Sequence, residues 1–520
     1  MPVLQWIGKD KVINHHLDVP FHVLDRKYSF GGENSSNKII HGDNLLALKS
    51  LLPEYEGRVK CIYIDPPYNT GNEGWVYNDN VNDPRIKKWL GEVVGKEGED
   101  LSRHDKWLCM MYPRLKLLQR LLADDGFIFI SIDVFEYANL KCILDEIFGS
   151  NNFRNCIAVR RGIKNVQAQF DDVQALSLGH EYIYVYSKSP QAKLAKLSKN
   201  FDVEKAGKWD TFWRGTDRHT MRYEIFGQHP KTGQWRWEKI RAAKAIKNYE
   251  RYLQETNGEI SLDDYYIDHL MSTNEKLDFV RKNEADTVQY YVAPKSGKLL
   301  SDNWMDILLS GSYAGFDTEK NVALLERIVG WITDKDSIVL DSFAGSGTTA
   351  HAVLNLNKAD GGNRKFILIE MMDYAESITA ERVRRVIDGY GEGKKAVAGT
   401  GGDFSFYELG DPLLLPNGNI NEDVGTDKLR EYIYFTETQQ PLEPSRENEP
   451  YYLGTHFAKA YYFCYEKDRR TILDYELLEA AVKTRADGYL IYADTCTLSE
   501  SQLEKFNITF KKIPRDITRI

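Results

Sequence analysis

Four residues at the end of an apolar run carry the strongest chemical signal in this chain: Asp65-Pro66-Pro67-Tyr68 follows Val59-Lys60-Cys61-Ile62-Tyr63-Ile64. Proline lacks an amide hydrogen and fixes its own φ, so two in succession end a strand or helix and hold a stiff loop. A carboxylate, outward-facing carbonyls and an aromatic ring on such a loop suit a flat ligand that bears an NH2 group. Asp65 and the Pro66 carbonyl would accept its two N–H bonds while Tyr68 stacks on its ring. A helix-capping aspartate with proline punctuation is the plainer explanation, but it leaves Tyr68 and the second proline without a purpose.

A second loop is rich in small residues: Asp341-Ser342-Phe343-Ala344-Gly345-Ser346-Gly347-Thr348-Thr349. Gly345 and Gly347 let the backbone approach a ligand closely, and a helix starting at Thr348 offers free N–H groups to an anion. No Gly-Lys-Ser/Thr follows, so this is not a Walker loop, and the third glycine of a dinucleotide fingerprint is missing. Glu370 ends the next apolar run, 29 residues after Asp341, where an acidic side chain commonly takes ribose hydroxyls. Alone, the loop also reads as a tight turn and Glu370 as a surface charge; together they favour a nucleoside. In Gly42-Asp43-Asn44, Asp43 is either a helix N-cap or a ligand contact.

These loops need a scaffold. Continuous apolar strands over 59–64, 126–132, 337–341 and 365–370 alternate with helices over 44–52, 106–122, 318–332, 348–356 and 375–388. That pattern predicts an α/β fold with a mostly parallel sheet covered on both faces. Ligands of such sheets bind at the carboxyl ends of the strands, where all three loops fall. The sheet is expected in two halves, 36–155 and 310–395, separated by an insertion at 156–309. Residues 1–35 read as an N-terminal extension and 396–520 as a C-terminal interaction module. In the latter, strands at 461–465, 488–492 and 508–510 with helices at 473–484 and 499–505 suggest a three-stranded α/β unit.

The charge distribution singles out the insertion. Lys and Arg total 68 against 77 Asp and Glu, yet residues 151–250 hold 19 Lys and Arg against 10 Asp and Glu. One basic segment in an acidic chain points to nucleic acid more clearly than the net charge of −9. Arg214, Arg218, Arg222, Arg236 and Arg241, interleaved with aromatics such as Trp235, are candidates for phosphate or guanine contact. A solvated basic face over a tryptophan core is the alternative. The six cysteines form no CxxC pair and the 11 histidines no HxxxH pair. No metal site is therefore expected, and reduced thiols suit a cytoplasmic protein. With no apolar run of membrane-spanning length and no signal-like start, no membrane partner is expected.

Taken in order, Gly-Asp-Asn, Asp-Pro-Pro-Tyr, the insertion and Phe-Ala-Gly-Ser-Gly-Thr-Thr resemble the β-class of amino-group DNA methyltransferases. Trp6-Ile7-Gly8-Lys9, His180-Glu181-Tyr182-Ile183 and Phe406 to Gly410 further resemble modification subunits of type III restriction systems. The resemblance implies a Rossmann-like methyltransferase fold with a mostly parallel seven-stranded sheet and an inserted target recognition domain. It implies S-adenosylmethionine as cofactor and double-stranded DNA as substrate, with a homodimer and a separate restriction or helicase subunit as further partners. Residue by residue, Phe343, Gly345 and Gly347, on a loop with Asp341 and Ala344, would line the cofactor, and Glu370 would hold its ribose. Thr318 and Lys320 would reach the methionine moiety, although Asn321 stands where the family has proline. Asp43 would lie near the adenine of the cofactor, and Asp65 to Tyr68 would be the catalytic loop. Asp as its first residue resembles the adenine-N6 enzymes; cytosine-N4 enzymes more often begin with Ser. A cytosine-N4 enzyme, an RNA methyltransferase and a DNA-recognition subunit serving a separate nuclease are the alternatives.

Overall fold

Apolar runs too long and too uniform for one-sided burial become the inner strands of a ten-stranded sheet. A computed structural model of the chain describes residues 3–33, 35–70, 84–96, 102–162, 176–311, 319–393, 396–442 and 448–515. The sheet strands in chain order are β1 (His22–Phe30), β2 (Lys38–His41), β3 (Val59–Ile64), β4 (Leu122–Ile132), β5 (Phe153–Arg160), β6 (His180–Ser187), β7 (Asn303–Leu308), β8 (Ile338–Asp341), β9 (Lys365–Glu370) and β10 (Phe404–Pro412). Their spatial order is β1-β10-β2-β9-β8-β3-β4-β6-β5-β7. Strands β10 through β4 run parallel, β6 is antiparallel to both neighbours, and β1 is antiparallel to β10. Ile62, Ile64, Ile128, Ile130, Leu340 and Ile367 are sealed from solvent in its middle.

The expected seven strands correspond to β2, β9, β8, β3, β4, β6 and β5, and three more extend the sheet. β1 and β10 add to one edge and β7 to the other. β1 is half-exposed along most of its length, so it lacks the uninterrupted apolar run by which inner strands are read. The N-terminal extension and the C-terminal region thus each donate a strand to the same sheet.

Helices α1 (Asn44–Tyr55), α2 (Arg103–Leu121), α3 (Val322–Ile332), α4 (Thr348–Asp360) and α5 (Glu381–Asp388) serve the site. Three of the starts have a side-chain cap. Asp43 accepts from the Leu45 amide at 2.7 Å to cap α1. Ser102 and Asp105 form a capping box on α2, and Asn321 accepts from the Ala323 amide at 3.0 Å ahead of α3. The helix expected from Thr318 therefore starts after Asn321. No helix among the described residues is long and apolar enough to cross a membrane.

Two compact units divide the chain: Met1–Ala195 with Asp302–Ile520, and Lys196–Ser301. The insertion is shorter than the expected 156–309, because β5, β6 and β7 are sheet strands; Tyr184, Val185 and Tyr186 of β6 are buried between β4 and β5. The unit 196–301 has its own core around Phe212, Trp235, Ala242, Val280 and Val288. The C-terminal region belongs to the sheet-bearing unit, and its own small sheet, Tyr452–His456, Lys459–Phe463, Gly488–Ala493 and Ile508–Lys512, has four strands instead of three. Tyr452–His456 folds back on Lys459–Phe463 through Phe457 and Ala458, both at positive φ.

Candidate active site

Asp65 sits at the carboxyl end of β3, next to β8 in the middle of the sheet, and is 9% exposed. The loop it opens is anchored from beneath. Trp107 of α2 donates its indole N–H to the Pro67 carbonyl at 2.6 Å. Asn69, at φ 59, donates to the Arg103 carbonyl at 3.2 Å and to the carboxylate of Glu136. Glu136 is itself fully buried and also takes bonds from His104 at 2.6 Å and Asn139 at 2.8 Å. Rigid support of this kind keeps a reacting group in place without reorganisation.

Above the loop lies Lys320. Its Nζ is 3.0 Å from Asp65 Oδ1, donates to the Tyr68 hydroxyl at 2.8 Å and stands 5.0 Å from the Tyr68 ring centroid. Burial raises the Asp65 carboxyl above its ordinary range, and the Lys320 ammonium opposes that shift. The Lys320 backbone bridges to Ser310, and its carbonyl accepts from Thr348 Oγ1 at 3.4 Å. One residue therefore touches both the proline corner and the first turn of α4.

The glycine loop between β8 and α4 is braced from three sides. Asp341 accepts from the Phe343 amide at 3.0 Å and from Thr349 Oγ1 at 2.5 Å, so its carboxylate closes the loop on itself. Gly347 has φ +81, and a Cβ there would fall 3.1 Å from the Thr379 carbonyl. Arg382 of α5 donates to Ser346 Oγ at 2.8 Å and Thr348 Oγ1 at 2.9 Å, and pairs with the equally buried Glu319 at 2.9 Å. From the α1 side, Asn44 Nδ2 donates to the Ser342 carbonyl at 3.0 Å, and Arg114 Nε reaches Asn44 Oδ1 at 2.5 Å. Asp43 caps α1 and lies 3.5 Å from Arg114 Nη2.

Glu370, at the end of β9, accepts from the Gly345 amide at 2.7 Å and the Met372 amide at 3.0 Å. Burial pushes both Glu370 and Asp341 up to about 7. A cavity of about 20 Å³ lies between the two motifs, lined by Asp65, Lys320, Asp341, Phe343, Ala344 and Gly345 among others. That is room for about one water molecule. The donor set fits a nucleoside that carries a cationic group: Glu370 as acceptor for a diol, Phe343 as a ring, and buried carboxylates facing the cavity. Seating such a ligand requires Glu370 to exchange the Gly345 amide for the ligand's hydroxyls and the loop to open. Among the described residues no cluster of His, Cys, Asp or Glu is arranged to hold a metal ion.

Residues 59–381 match the N6/N4 DNA methylase family. The chain belongs to that family. A type III restriction-modification enzyme Mod subunit of Salmonella typhimurium, StyLTI, is 34% identical over 445 residues, covering 79% of this chain and 62% of the relative. The EcoPI Mod subunit of Escherichia phage P1 is 32% identical, across 65% of this chain and 58% of its own. The type II methyltransferase M.KpnI of Klebsiella pneumoniae is 32% identical, across 65% of this chain and 81% of its own. The chain thus spans about three fifths of the length of the Mod subunits it matches. The match falls on an α/β fold whose sheet is mostly parallel through β2, β9, β8, β3 and β4 and continues into β6 and β5.

In this member of the family the structure gathers Asp65, Lys320, Asp341, Phe343, Ala344 and Gly345 around one cavity, with Tyr68 bonded to Lys320. Gly347 and Glu370 hold the loop from either end, and Pro66 and Pro67 carry the corner. The Lys320 ammonium lies against the proline corner, at Asp65 and Tyr68, and the same residue lines the cavity shared with the glycine loop. Thr318 lies outside the described residues.

The recognition candidates divide by what holds them. Trp235 is not available to stack on DNA: it is 4% exposed, stacks on Phe212 at 5.7 Å and donates its indole N–H to the Tyr223 carbonyl at 2.7 Å. Arg222 is engaged with Asp217 at 2.5 Å and the Gly233 carbonyl at 2.9 Å. Arg241 forms a two-pronged pair with Asp278 at 2.7 and 3.0 Å, and Arg236 donates to the Thr211 carbonyl at 2.9 Å. Arg214 and Arg218 are exposed. Motif reading passed over Trp107, Glu136, Glu319 and Arg382, whose roles depend on partners far away in sequence. Arg382 does leave a trace, a cation on the buried face of α5 beside Val383 and Val386.

Proposed function

We propose that this chain transfers a methyl group from S-adenosylmethionine to the exocyclic N6 of an adenine flipped out of duplex DNA. The observation that carries the reading is the buried Asp65 carboxylate of a proline-braced corner sharing a cavity with the glycine loop. Bound there, the cofactor supplies an electrophilic methyl group. An exocyclic amine is a weak nucleophile because its lone pair is delocalised into the ring. Asp65 and the Pro66 carbonyl accept its two N–H bonds, favour a tetrahedral nitrogen and stabilise the positive charge that develops on it. Stabilisation reserved for the transition state is what accelerates a reaction. Asp65 is also placed to take the proton the nitrogen sheds. Flipping a base costs a few kcal/mol, and stacking on Tyr68, about 1–3 kcal/mol, offsets part of it.

Asp at the first position of the corner supports adenine over cytosine. The unit 196–301, with Arg214 and Arg218 exposed, is the element we assign to DNA recognition. Relatives named as Mod subunits support a place in a restriction-modification system, with a separate restriction subunit as partner; a homodimer remains part of the same reading. Free thiols at all six cysteines suit the cytoplasm. The test is tritiated S-adenosylmethionine with unmethylated genomic DNA, followed by nucleoside analysis and sequencing that maps modified bases. N6-methyladenine at a fixed sequence is expected. N4-methylcytosine would move the substrate to the other amino base, and label in neither would refute the reading.

A further inference from the structure

Lys320 has two carboxylates within reach and rests on one. Its Nζ lies 3.0 Å from Asp65 Oδ1 and 3.9 Å from Glu181 Oε2. Glu181, at the start of β6, is 5% exposed, and its Oε2 has no hydrogen-bond partner among the described residues. Its other oxygen faces Arg161 Nε at 3.4 Å. A buried carboxylate oxygen without a donor is expensive to keep. Asp65 Oδ1 faces the same ammonium at 3.0 Å, so two buried carboxylates compete for one cation. The ammonium is held by Asp65 at 3.0 Å and the Tyr68 hydroxyl at 2.8 Å, and a second carboxylate oxygen with no donor among the described residues lies 3.9 Å away.

The present seat is the one a substrate amine needs: the same Asp65 carboxylate, beside the same Tyr68 ring and hydroxyl. We propose that Lys320 is a movable plug of the base pocket and that Glu181 is its second seat. As the base enters, the ammonium moves from Asp65 to Glu181 Oε2, and Asp65 becomes free to receive the amino group. The pocket keeps its charge balance throughout, because the positive charge of Lys320 stays between the two carboxylates while the substrate nitrogen becomes positive against Asp65. Glu181 is thus a positioning residue, acting through Lys320.

This inference rests on the methyl-transfer reading, and its test separates the two. Full-length protein is given a duplex with 2-aminopurine at the mapped target position, whose fluorescence reports base extrusion. KM for DNA, kcat and cofactor affinity are measured alongside. Glu181→Gln is expected to weaken base capture and raise KM by about tenfold or more, with cofactor affinity changed by less than about twofold. Lys320→Met, which removes the plug, is expected to strengthen base capture, and it serves if the glutamate variant does not fold. In the double variant the Glu181 effect should shrink to less than about twofold, the size expected of uncoupled residues. Equal losses from Glu181→Gln with and without Lys320, or weaker capture in Lys320→Met, would overturn the plug and leave methyl transfer standing. Absence of transfer by the unaltered protein would take down both.

Discussion

Replacing Asp65 by Asn keeps the size of the side chain and removes its charge. The distance that matters is that from Oδ1 to the substrate nitrogen, and Lys320 Nζ, now in that seat, stands at 3.0 Å. At an effective dielectric of about 20, a unit charge at that distance interacts with a carboxylate by about 5 kcal/mol. A nitrogen that has gained about half a charge in the transition state would lose about 3 kcal/mol, or about a hundredfold in rate. Loss of a single preorganised electrostatic partner in other enzymes costs about 10²–10³, so the figure is of the expected size. The cofactor should be nearly indifferent, because Phe343, Gly345, Gly347 and Glu370, proposed to line it and hold its ribose, lie on the β8–α4 loop and at the end of β9. Single-turnover transfer of tritiated methyl to duplex DNA measures the rate, and calorimetry measures cofactor affinity. A loss in rate of less than about threefold, or an equal loss in cofactor affinity, would refute the reasoning.

Burial lifts Glu370 from an ordinary 4.5 to about 7. The stability this group contributes is therefore complete below about pH 4.5 and lost as pH rises through about 7. Ribose hydroxyls donate best to the ionised form, so cofactor affinity measured by calorimetry should increase over that upper range and flatten in Glu370→Gln. Trp107→Phe removes the donor to the Pro67 carbonyl; methyl transfer should slow by about tenfold through loss of alignment, with cofactor affinity unchanged. A denaturant titration should show about 1–3 kcal/mol lost to the unpaired carbonyl. Arg214→Ala with Arg218→Ala should lower the slope of log affinity against log salt by about 2 if both meet phosphates. Trp235→Ala should instead unfold the 196–301 unit, at a cost of about 3–5 kcal/mol, seen as lost protection from proteolysis.

The inner strands β3, β4, β8 and β9 were legible because burial on both faces demands uninterrupted apolar residues. Edge strands β1 and β7, with one face or one side in solvent, offer only broken patterns, while the buried run of β6 lies within the basic segment that charge assigns to the insertion, so 156–309 is too wide. The corner at Asp65 and the loop at Gly345 could be read because each packs its chemistry into consecutive residues. The Lys320–Asp65–Glu181 arrangement could not, since its members come from three distant stretches that only the strand order brings together. Aromatics among cations were the most ambiguous signal. Trp235 is decided by packing on Phe212, while the fate of each arginine depends on whether a carboxylate such as Asp278 or Asp217 happens to face it.

The most direct measurement is a structure of the protein with duplex DNA and a non-reactive sulfonium analogue of the cofactor. The account predicts an extruded adenine stacked on Tyr68, its amino nitrogen within about 3 Å of Asp65 and the Pro66 carbonyl, in line with the analogue's methyl position. A target base still stacked in the duplex, or an analogue bound away from the glycine loop and the proline corner, would contradict it.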